Sequence, residues 1–453
     1  MHIIGLDIGT TSICGICCNV DTGEIVEVIT LPNDAGIAGS HTWEKLQDAH
    51  TIIATVEKIT DRLIADKKDV CGIGITGQMH GIVYLNEKGE IVSPLYTWQD
   101  GRGDRLYKDG KSYAKWLSEQ TGYSLATGYG AVTHFYNTVN GLVPDSAKTF
   151  CTIHDLAAMM LATEVQPVLH PSDAASFGLY NLHTDQFDIQ AITSVGMNAE
   201  LFPKVKTGYP MIGQTTHGIP VAVAIGDNQA SVIGSVNDLE NSILINVGTG
   251  SQISCNVKGI PDECGMDCRP LTDELYLLAG SSLCGGRAYA ILEKFLRDTV
   301  IQITGQGIAS VYSAMSKVMA EYEKPEQPLV VETTFSGTRQ KPDKKGMICN
   351  IDINNLTMAN LCDGFLNGMV EELYQMYQEM KPFMDAMPNK MVGSGNGIRL
   401  NEYLAQRFAD KFEIPLRIPA HKEEAAFGAA LFGLVVAKSL PNMKEIHNMI
   451  KYN

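Results

Sequence analysis

Gly5-Leu-Asp-Ile-Gly-Thr-Thr-Ser12 closes an apolar run that starts at His2, and it sets one carboxylate and three hydroxyls at the end of a strand-like segment. The chain nearly repeats this stretch in Ile245-Asn-Val-Gly-Thr-Gly-Ser251. At a constant offset Asp7 falls on Asn246, Gly9 on Gly248, Thr10 on Thr249 and Ser12 on Ser251. A tight turn after a strand, opened by a glycine with positive φ at Gly9 or Gly248, leaves amide N–H groups free for an anion. The hydroxyls of Thr10, Thr11, Ser12, Thr249 and Ser251 add further donors to the same oxygens. Asp7 differs in kind, because a carboxylate sits against a phosphate only with a cation between them. A Gly-Thr turn alone is most often only a turn. The repetition, with an acid in one copy only, points to two phosphate loops, an Asp7-bound Mg²⁺ and a nucleotide held by two related domains.

A second constellation can supply a base. Val221-Ala-Val-Ala-Ile225 is an apolar strand that ends in Gly226-Asp-Asn-Gln-Ala230. A carboxylate at the carboxyl end of a buried strand faces the crevice where α/β folds bind ligands. Asp227 there can take a proton from a hydroxyl as it attacks phosphorus. A helix N-cap would suit an Asp equally well. Gly77-Gln-Met-His-Gly81 and Tyr96-Thr-Trp-Gln-Asp-Gly-Arg102 combine amide, imidazole, indole, carboxylate and guanidinium groups, a mixture suited to the hydroxyls of a polyol or ketose. Thr152-Ile-His-Asp155 and Pro171-Ser-Asp-Ala-Ala175 add weaker polar signals between apolar runs. Gly393-Ser-Gly-Asn-Gly397 can bring backbone against an adenine or ribose. No G-x-G-x-x-G or G-x-x-x-x-G-K-[ST] pattern accompanies these motifs, so a dinucleotide fold and a P-loop kinase are set aside.

The elements that must hold these groups follow from periodicity. Residues 13–29 read as strand, turn and strand, and residues 252–260 begin the same way. Trp43 to Asp66 carries Leu46, Ile53, Val56, Ile59 and Leu63 at helical spacing. Cys71 to Thr76 is a buried strand, and Val83 to Val92 a hairpin around Asn86-Glu-Lys-Gly89. In the second half, Arg287–Val300, Met358–Lys381, Asn401–Phe412 and Glu423–Lys438 read as helices, with strands at Lys390–Val392 and Ile414–Ile418. Strands alternating with helices indicate an α/β architecture. The boundary falls near residues 228–240, giving domains 1–232 and 233–453.

Bulk properties narrow the partners. The 453 residues carry a formal net charge of −16, which argues against nucleic acid or an anionic membrane as partner, though not against a nucleotide. No apolar stretch nears the roughly 20 residues of a membrane span, and no secretory signal is visible. The 11 cysteines are scattered, as reduced cytosolic thiols are, so a cytoplasmic location is expected. Cys14 and Cys17 fall on opposite faces of a strand and cannot share a metal. Cys264 and Cys268 have no second ligand pair. A homodimer is left open.

In chain order, Gly5–Ser12, Gly77–Gly81, Trp98–Arg102, Gly226–Gln229, Gly248–Gly250, Phe335-Ser-Gly-Thr-Arg339, Gly393–Asn396 and Glu424-Ala-Ala-Phe-Gly-Ala429 resemble the motifs of the FGGY carbohydrate kinases. The resemblance runs across nearly the whole chain. It implies two ribonuclease-H-like (actin-like ATPase) domains flanking a deep catalytic cleft, with ATP and a small sugar as substrates and Mg²⁺ as cofactor. It further implies Asp227 as general base and Asp7 as the Mg²⁺ residue. Gln78, Met79, His80, Trp98, Asp100, Arg102 and Asn228 would line the sugar. Gly9, Thr10, Thr11, Ser12, Gly248, Thr249, Gly250, Gly285, Gly286, Gly395 and Asn396 would bind ATP. Thr97–Arg102, Ala126-Thr-Gly-Tyr-Gly130, Thr152–Asp155, Asp173-Ala-Ala-Ser176 and Gly226–Ser231 resemble the members that phosphorylate sedoheptulose at its terminal primary hydroxyl. Gln78-Met-His80 is also similar to those acting on xylulose, but Gln229 departs from their pattern. Ser394 and Asn396 replace two small residues of the common adenine-site form. Two other classes stay open: an actin-like ATPase switch without a sugar, and a sugar sensor with a dead site.

Overall fold

The computed structural model describes residues 1–65, 67, 69–261, 265–272, 275–338, 341, 343–438, 440 and 442–453. Asp66, Cys264 and Arg339, which the motif and helix readings include, lie outside them. By its internal contacts the chain divides into two units. The first comprises Met1–Asn237, Arg269–Tyr276 and Glu423–Lys451; the second comprises Asp238–Cys268, Leu277–Lys422 and Tyr452–Asn453. A single cut after residue 232 therefore misses two returns of the chain to the first unit.

The first unit is built on a mixed sheet. β1 (His2–Ile8), β2 (Ser12–Asn19) and β3 (Ile25–Pro32) form an antiparallel meander, as the alternating residues 13–29 predict. α1 (Ala49–Ile64) then leads to β4 (Val70–Gly77), which pairs parallel to β1 with Asp7 opposite Thr76 and Ile8 opposite Gly77. α1 is shorter than the periodicity of residues 43–66 predicts. Asp48 caps its N-terminus, accepting from the His50 N–H, and Leu46 pairs in a short strand with Tyr96. A capping carboxylate outweighs one apolar residue that happens to fall in phase. Of the expected hairpin at 83–92, only Val83–Leu85 is a strand; its partner is Thr149–Cys151, and residue 91 contributes a single bridge.

Two helices and a split strand complete the frame around the site. α2 (Ile153–Leu161) is capped by Thr152, and α3 (Pro171–Phe177) starts with proline in its first turn. β5 (Met211–Gln214) pairs with β6 (Pro220–Ala222). The run 221–225 is not one strand: after β6 the chain breaks and resumes as β7 (Ile225–Gly226), with Gly226 opposite Gly77 of β4. α4 (Asp227–Ser235) begins at once.

The second unit repeats the plan. β8 (Ser242–Val247) pairs antiparallel with β9 (Ser251–Val257) and parallel with β10 (Lys390–Ser394), which pairs parallel with β11 (Leu416–Arg417). α5 (Gly285–Thr304), α6 (Met358–Met380), α7 (Asn396–Arg399) and α8 (Glu402–Phe412) surround this sheet. The repeat is not perfect: Ile8 pairs with Ile13, whereas Val247 pairs with Ser251, so the second turn is one residue shorter.

α9 (Glu424–Lys438) belongs to the first unit and is apolar all round, because it is buried on every side. Small residues let its backbone touch β4 and α4. A Cβ on Gly74 would lie 1.7 Å from the carbonyl oxygen of Ala429, and one on Gly428 would lie 1.8 Å from that of Ala230. Real side-chain atoms never approach so closely, so the glycines are steric requirements. Among the described residues no single helix is long and apolar enough to cross a membrane. Gly428→Ala should therefore destabilise the folded chain by about 1–3 kcal/mol through overpacking. Thermal unfolding checks this, and an unchanged midpoint would show that α9 can move away from α4.

Candidate active site

The two glycine turns close on themselves. The Gly9 N–H donates to the Ser12 carbonyl at 3.0 Å, and the Gly248 N–H donates to the Gly250 carbonyl at 2.9 Å. Neither glycine has positive φ. These two amides are thus engaged within their own turns, contrary to the expectation that Gly9 and Gly248 free them by adopting positive φ. Thr11, Ser12, Gly248 and Thr249 are exposed at the turn tips.

Around the second turn the predicted nucleotide residues do come together. The N–H groups of Gly286 and Arg287, in the first turn of α5, donate to the carbonyls of Gly248 and Thr249 at 2.9 and 3.1 Å. A Cβ on Gly285 would collide with the Gly250 backbone at 2.3 Å. Gly395, at φ 80°, lies against the Val247 carbonyl at the end of β8, where a Cβ would come within 2.5 Å. Asn396 opens α7 beside it and is exposed. Gly248, Thr249, Gly250, Gly285, Gly286, Gly395 and Asn396 thus share one corner of the second unit. A cavity of about 850 Å³ elsewhere in that unit, lined by Thr333, Glu372 and Met376 among others, includes none of them.

Around the first turn, Thr10 is tethered from several sides. Its hydroxyl donates to Gln78 Oε1 at 3.2 Å and accepts from Trp98 Nε1 at 2.9 Å. Gln47 Nε2 donates to the Thr10 carbonyl, and Gln78 Nε2 donates to Gln47 Oε1, each at 2.9 Å. Asn33 Nδ2 holds the Gly9 carbonyl at 2.8 Å. Gln47 and Asn33 carry no motif of their own, and sequence reading missed both. Gln78, buried and bonded through both ends of its amide, is part of this brace.

Met79 and Asn228 meet beside Asp227, and His80 follows Met79 in the chain. Asn228 Nδ2 approaches Met79 Sδ at 3.7 Å, and a Cβ on Gly226 would strike the Met79 methyl at 2.5 Å. His80 holds φ at 72°, a strained value for a side-chain-bearing residue. Its Nδ1 lies 2.7 Å from the Ser176 carbonyl, which can only accept, so Nδ1 carries the proton. The ring stacks on Tyr129 with centroids 4.6 Å apart and planes 6° from parallel. Trp98 is 45% exposed beside the first turn.

Asp100 and Arg102 pair with each other. Both are buried; Arg102 Nε donates to Asp100 Oδ1 at 2.6 Å, and its guanidinium lies 4.1 Å from the Tyr96 ring centroid. The Asp100 side chain also accepts from the backbone N–H groups of Lys45 and Arg102. Their hydrogen-bonding capacity is directed inward, so they brace the loop that presents Trp98. The Asp-Gly-Arg spacing alone does not distinguish an internal pair from a ligand clamp.

The acids set the electrostatics. Asp227 is the first residue of α4, with Gly226 as N-cap and no side-chain cap bond, so it is not the capping residue that its position also allowed. Thr76 Oγ1 donates to the Ile225 carbonyl at 2.7 Å and pins β7 in front of it. Burial pushes Asp227 up, while His154, Arg269 and the Asn228 N–H draw it down. Asp7 rises to about 7, first through burial and then through the nearby charge of Asp227, with Glu423 adding to it. Carboxylate oxygens are the ligands that suit a hard divalent cation, so Asp7 has the chemistry to hold Mg²⁺. At the equivalent position of the second unit, Asn246 Nδ2 donates to Ser394 Oγ at 2.9 Å. That site is neutral and satisfied without a cation.

Comparison with known proteins places this geometry in a family. Residues 2–243 match the N-terminal domain and residues 245–437 the C-terminal domain of the FGGY family of carbohydrate kinases. Sedoheptulokinase of Mus musculus is 27% identical over 476 aligned residues, covering 94% of this chain and 96% of that protein. Gluconokinase of Bacillus subtilis is 22% identical, with 99% and 90% covered. Xylulose kinase from Rhodospirillum rubrum superposes with a TM-score of 0.85 at 18% identity, over 100% of this chain and 93% of that one, and so shares the fold. The reading as a switch ATPase without a sugar is set aside. With both family domains matched in order, two ribonuclease-H-like units and a kinase's motifs, the chain belongs to the FGGY family and is a carbohydrate kinase.

Proposed function

We propose that the chain transfers the γ-phosphoryl group of ATP to the terminal primary hydroxyl of a ketose, sedoheptulose before xylulose, giving sedoheptulose 7-phosphate. The observation that carries the chemistry is Asp227: a carboxylate at the carboxyl end of β7, not used as a cap, with Met79 and Asn228 beside it. What favours sedoheptulose is the mouse relative, similar over 94% of this chain, together with the loop motifs at 97–102 and 226–231.

Asp227 accepts the proton of the sugar hydroxyl as that oxygen attacks phosphorus. Met79, His80, Trp98 and Asn228 orient the sugar, and the strained, stacked His80 presents a ring whose orientation is fixed before substrate arrives. Thr11, Ser12, Thr249 and Gly250 meet the phosphates, and Gly395 and Asn396 the adenosine. Thr10 holds its turn in place through Trp98 and Gln78, so the indole that faces the sugar also braces the phosphate turn. Mg²⁺, held by Asp7 directly or through water, would neutralise charge on the phosphates. Little covalent chemistry falls to the protein in such a transfer; positioning and charge carry it.

A sugar panel decides the substrate. ADP release should show the highest kcat/KM with sedoheptulose, and lower values with xylulose, ribulose, gluconate and glycerol. A higher value with any of these moves the assignment to that sugar. For the base, Asp227→Asn should retain sugar binding and lose about 10²–10⁴-fold in kcat; an active variant removes the assignment.

Asp7 links the cation to stability. Its folded carboxyl titrates near 7 against 3.8 in a free chain, so the folded state holds the proton more tightly. The stability this gives is complete below about pH 4 and lost as the pH rises through 7. Asp7→Asn removes the penalty. At pH 8 without metal the variant should be more stable than the wild type by about 1–2 kcal/mol, allowing for solvent screening at a half-buried site. Added Mg²⁺ should raise the midpoint of the wild type only, while the variant loses most turnover. A variant less stable at pH 8 would show that Asp7 has a compensating partner.

A further inference from the structure

Pro171-Ser-Asp-Ala-Ala175 has no task in the proposed transfer, yet the helix it opens, α3, reaches both the strand before the base and a sugar-side residue. Asp227 follows β7, a strand of only two residues that resumes after a break in the chain. So short a strand forms few ladder bonds, and side chains take over the work of fixing it. Thr76 Oγ1 donates to the Ile225 carbonyl at 2.7 Å, and Ser172 Oγ accepts the Gly226 N–H at 3.0 Å. Both bonds are buried, and the second joins residues 54 positions apart. Gly226 directly precedes Asp227, so this bond fixes the backbone from which the carboxylate projects.

Peptide groups decide the polarity of the serine. The Ser172 N–H donates to His170 Nδ1 at 3.2 Å, so that nitrogen carries no proton. The Ser172 hydroxyl, 2.9 Å from the same nitrogen, therefore donates to it, and its oxygen accepts from Gly226. Burial lowers His170 to about 4, against a hydrogen bond to the Gly208 backbone, and the ring is neutral. Ser172 has no exposure and His170 only 3%, so water does not compete for these bonds. One turn further along α3, the Ser176 hydroxyl accepts the His80 N–H at 3.3 Å and donates to the Asp173 carbonyl at 2.8 Å. The Ser176 carbonyl accepts from His80 Nδ1. Residues four apart lie on one face of a helix. Asp173, between the two serines, ties α3 to α2 through His154 Nε2 at 2.9 Å. A single helical turn thus spaces the base's strand from the strained His80.

We propose that Ser172 is a positioning residue: oriented by His170, its hydroxyl sets the Gly226 backbone so that the Asp227 carboxylate meets the sugar hydroxyl, in a register fixed to His80 by one turn of α3. This rests on Asp227 being the base, so Asp227→Asn is measured first; full activity in that variant overturns the base assignment and this proposal with it. With the loss established, Ser172→Ala in the full-length enzyme, with its best sugar, should lower kcat about 10–100-fold and change the sugar KM less than about threefold. In the Asp227→Asn background the same change should cost no more than about twofold further, because a residue acting through Asp227 has nothing left to act on. An undiminished loss there, or a Ser172→Ala enzyme whose kcat stays within twofold of the wild type, overturns the positioning role while leaving Asp227 as the base. Should Ser172→Ala fail to fold, Ser172→Cys, which fills the space with a much weaker acceptor, gives the same reading: a kcat loss that vanishes beside Asp227→Asn supports the role, and an additive loss or none overturns it.

Discussion

The desolvation of Asp7 and Asp227, set at the ends of two strands one strand apart, with the charge of Asp227 adding to it at Asp7, is the constraint that the surrounding structure answers. Two desolvated carboxyl groups cannot both hold their charge without compensation, since burial of each ion costs several kcal/mol, on the order of what a folded domain has to spare. Neighbouring groups offset part of that cost. Asp227 is placed at the first turn of α4, where helix amides favour a negative charge. His154 and Arg269 lower it further. Asp7 receives less help and remains near 7, which makes it the position where an added cation gains most. A site that is electrostatically incomplete on its own is one whose ligand completes it.

The duplicated motif shows how two similar units divide this work. Both have an antiparallel hairpin that turns at glycine and a parallel strand beside it. In the second unit the acid is replaced by Asn246, which satisfies itself on Ser394, and the turn is shorter by one residue. There the helix N-terminus of α5 does not wait for an anion. Its first amides already bind the turn, and Gly285 and Gly286 exist so that they can. One unit concentrates charge on a braced loop; the other presents a neutral, closely packed backbone corner.

Periodicity and turn chemistry made the frame legible. The strands at 2–8, 12–19, 70–77, 242–247 and 390–394 and the helices at 358–380, 402–412 and 424–438 follow from apolar spacing and glycine punctuation. Where the reading failed, a local effect overrode the pattern: the Asp48 cap shortened α1, and the break after Ala222 split the strand before Asp227. Within the site, the residue types were legible but their orientation was not. Asp100 and Arg102 have the composition of a sugar clamp, and only burial and mutual pairing reveal them as a brace. Gln47 and Asn33 act through long-range contacts that leave no spacing behind in the sequence.

The position of α9 explains why so much of this depends on distant contacts. Cys14 Sγ lies 3.7 Å from Glu423 Oε2 although the two are 409 positions apart. Glu423 adds to the field at Asp7, and α9, which follows it, packs its backbone against β4 and α4, the elements on either side of β7. The acid pair therefore rests on a frame that α9 completes. The crowding that prepares the site for a cation is thus produced by the same apolar burial that completes the first unit, so stability and electrostatic tension rise together. Any substitution that loosens α9 should relax that tension as well as the core, which ties the fitness of the acid pair to packing at residues that touch neither sugar nor nucleotide.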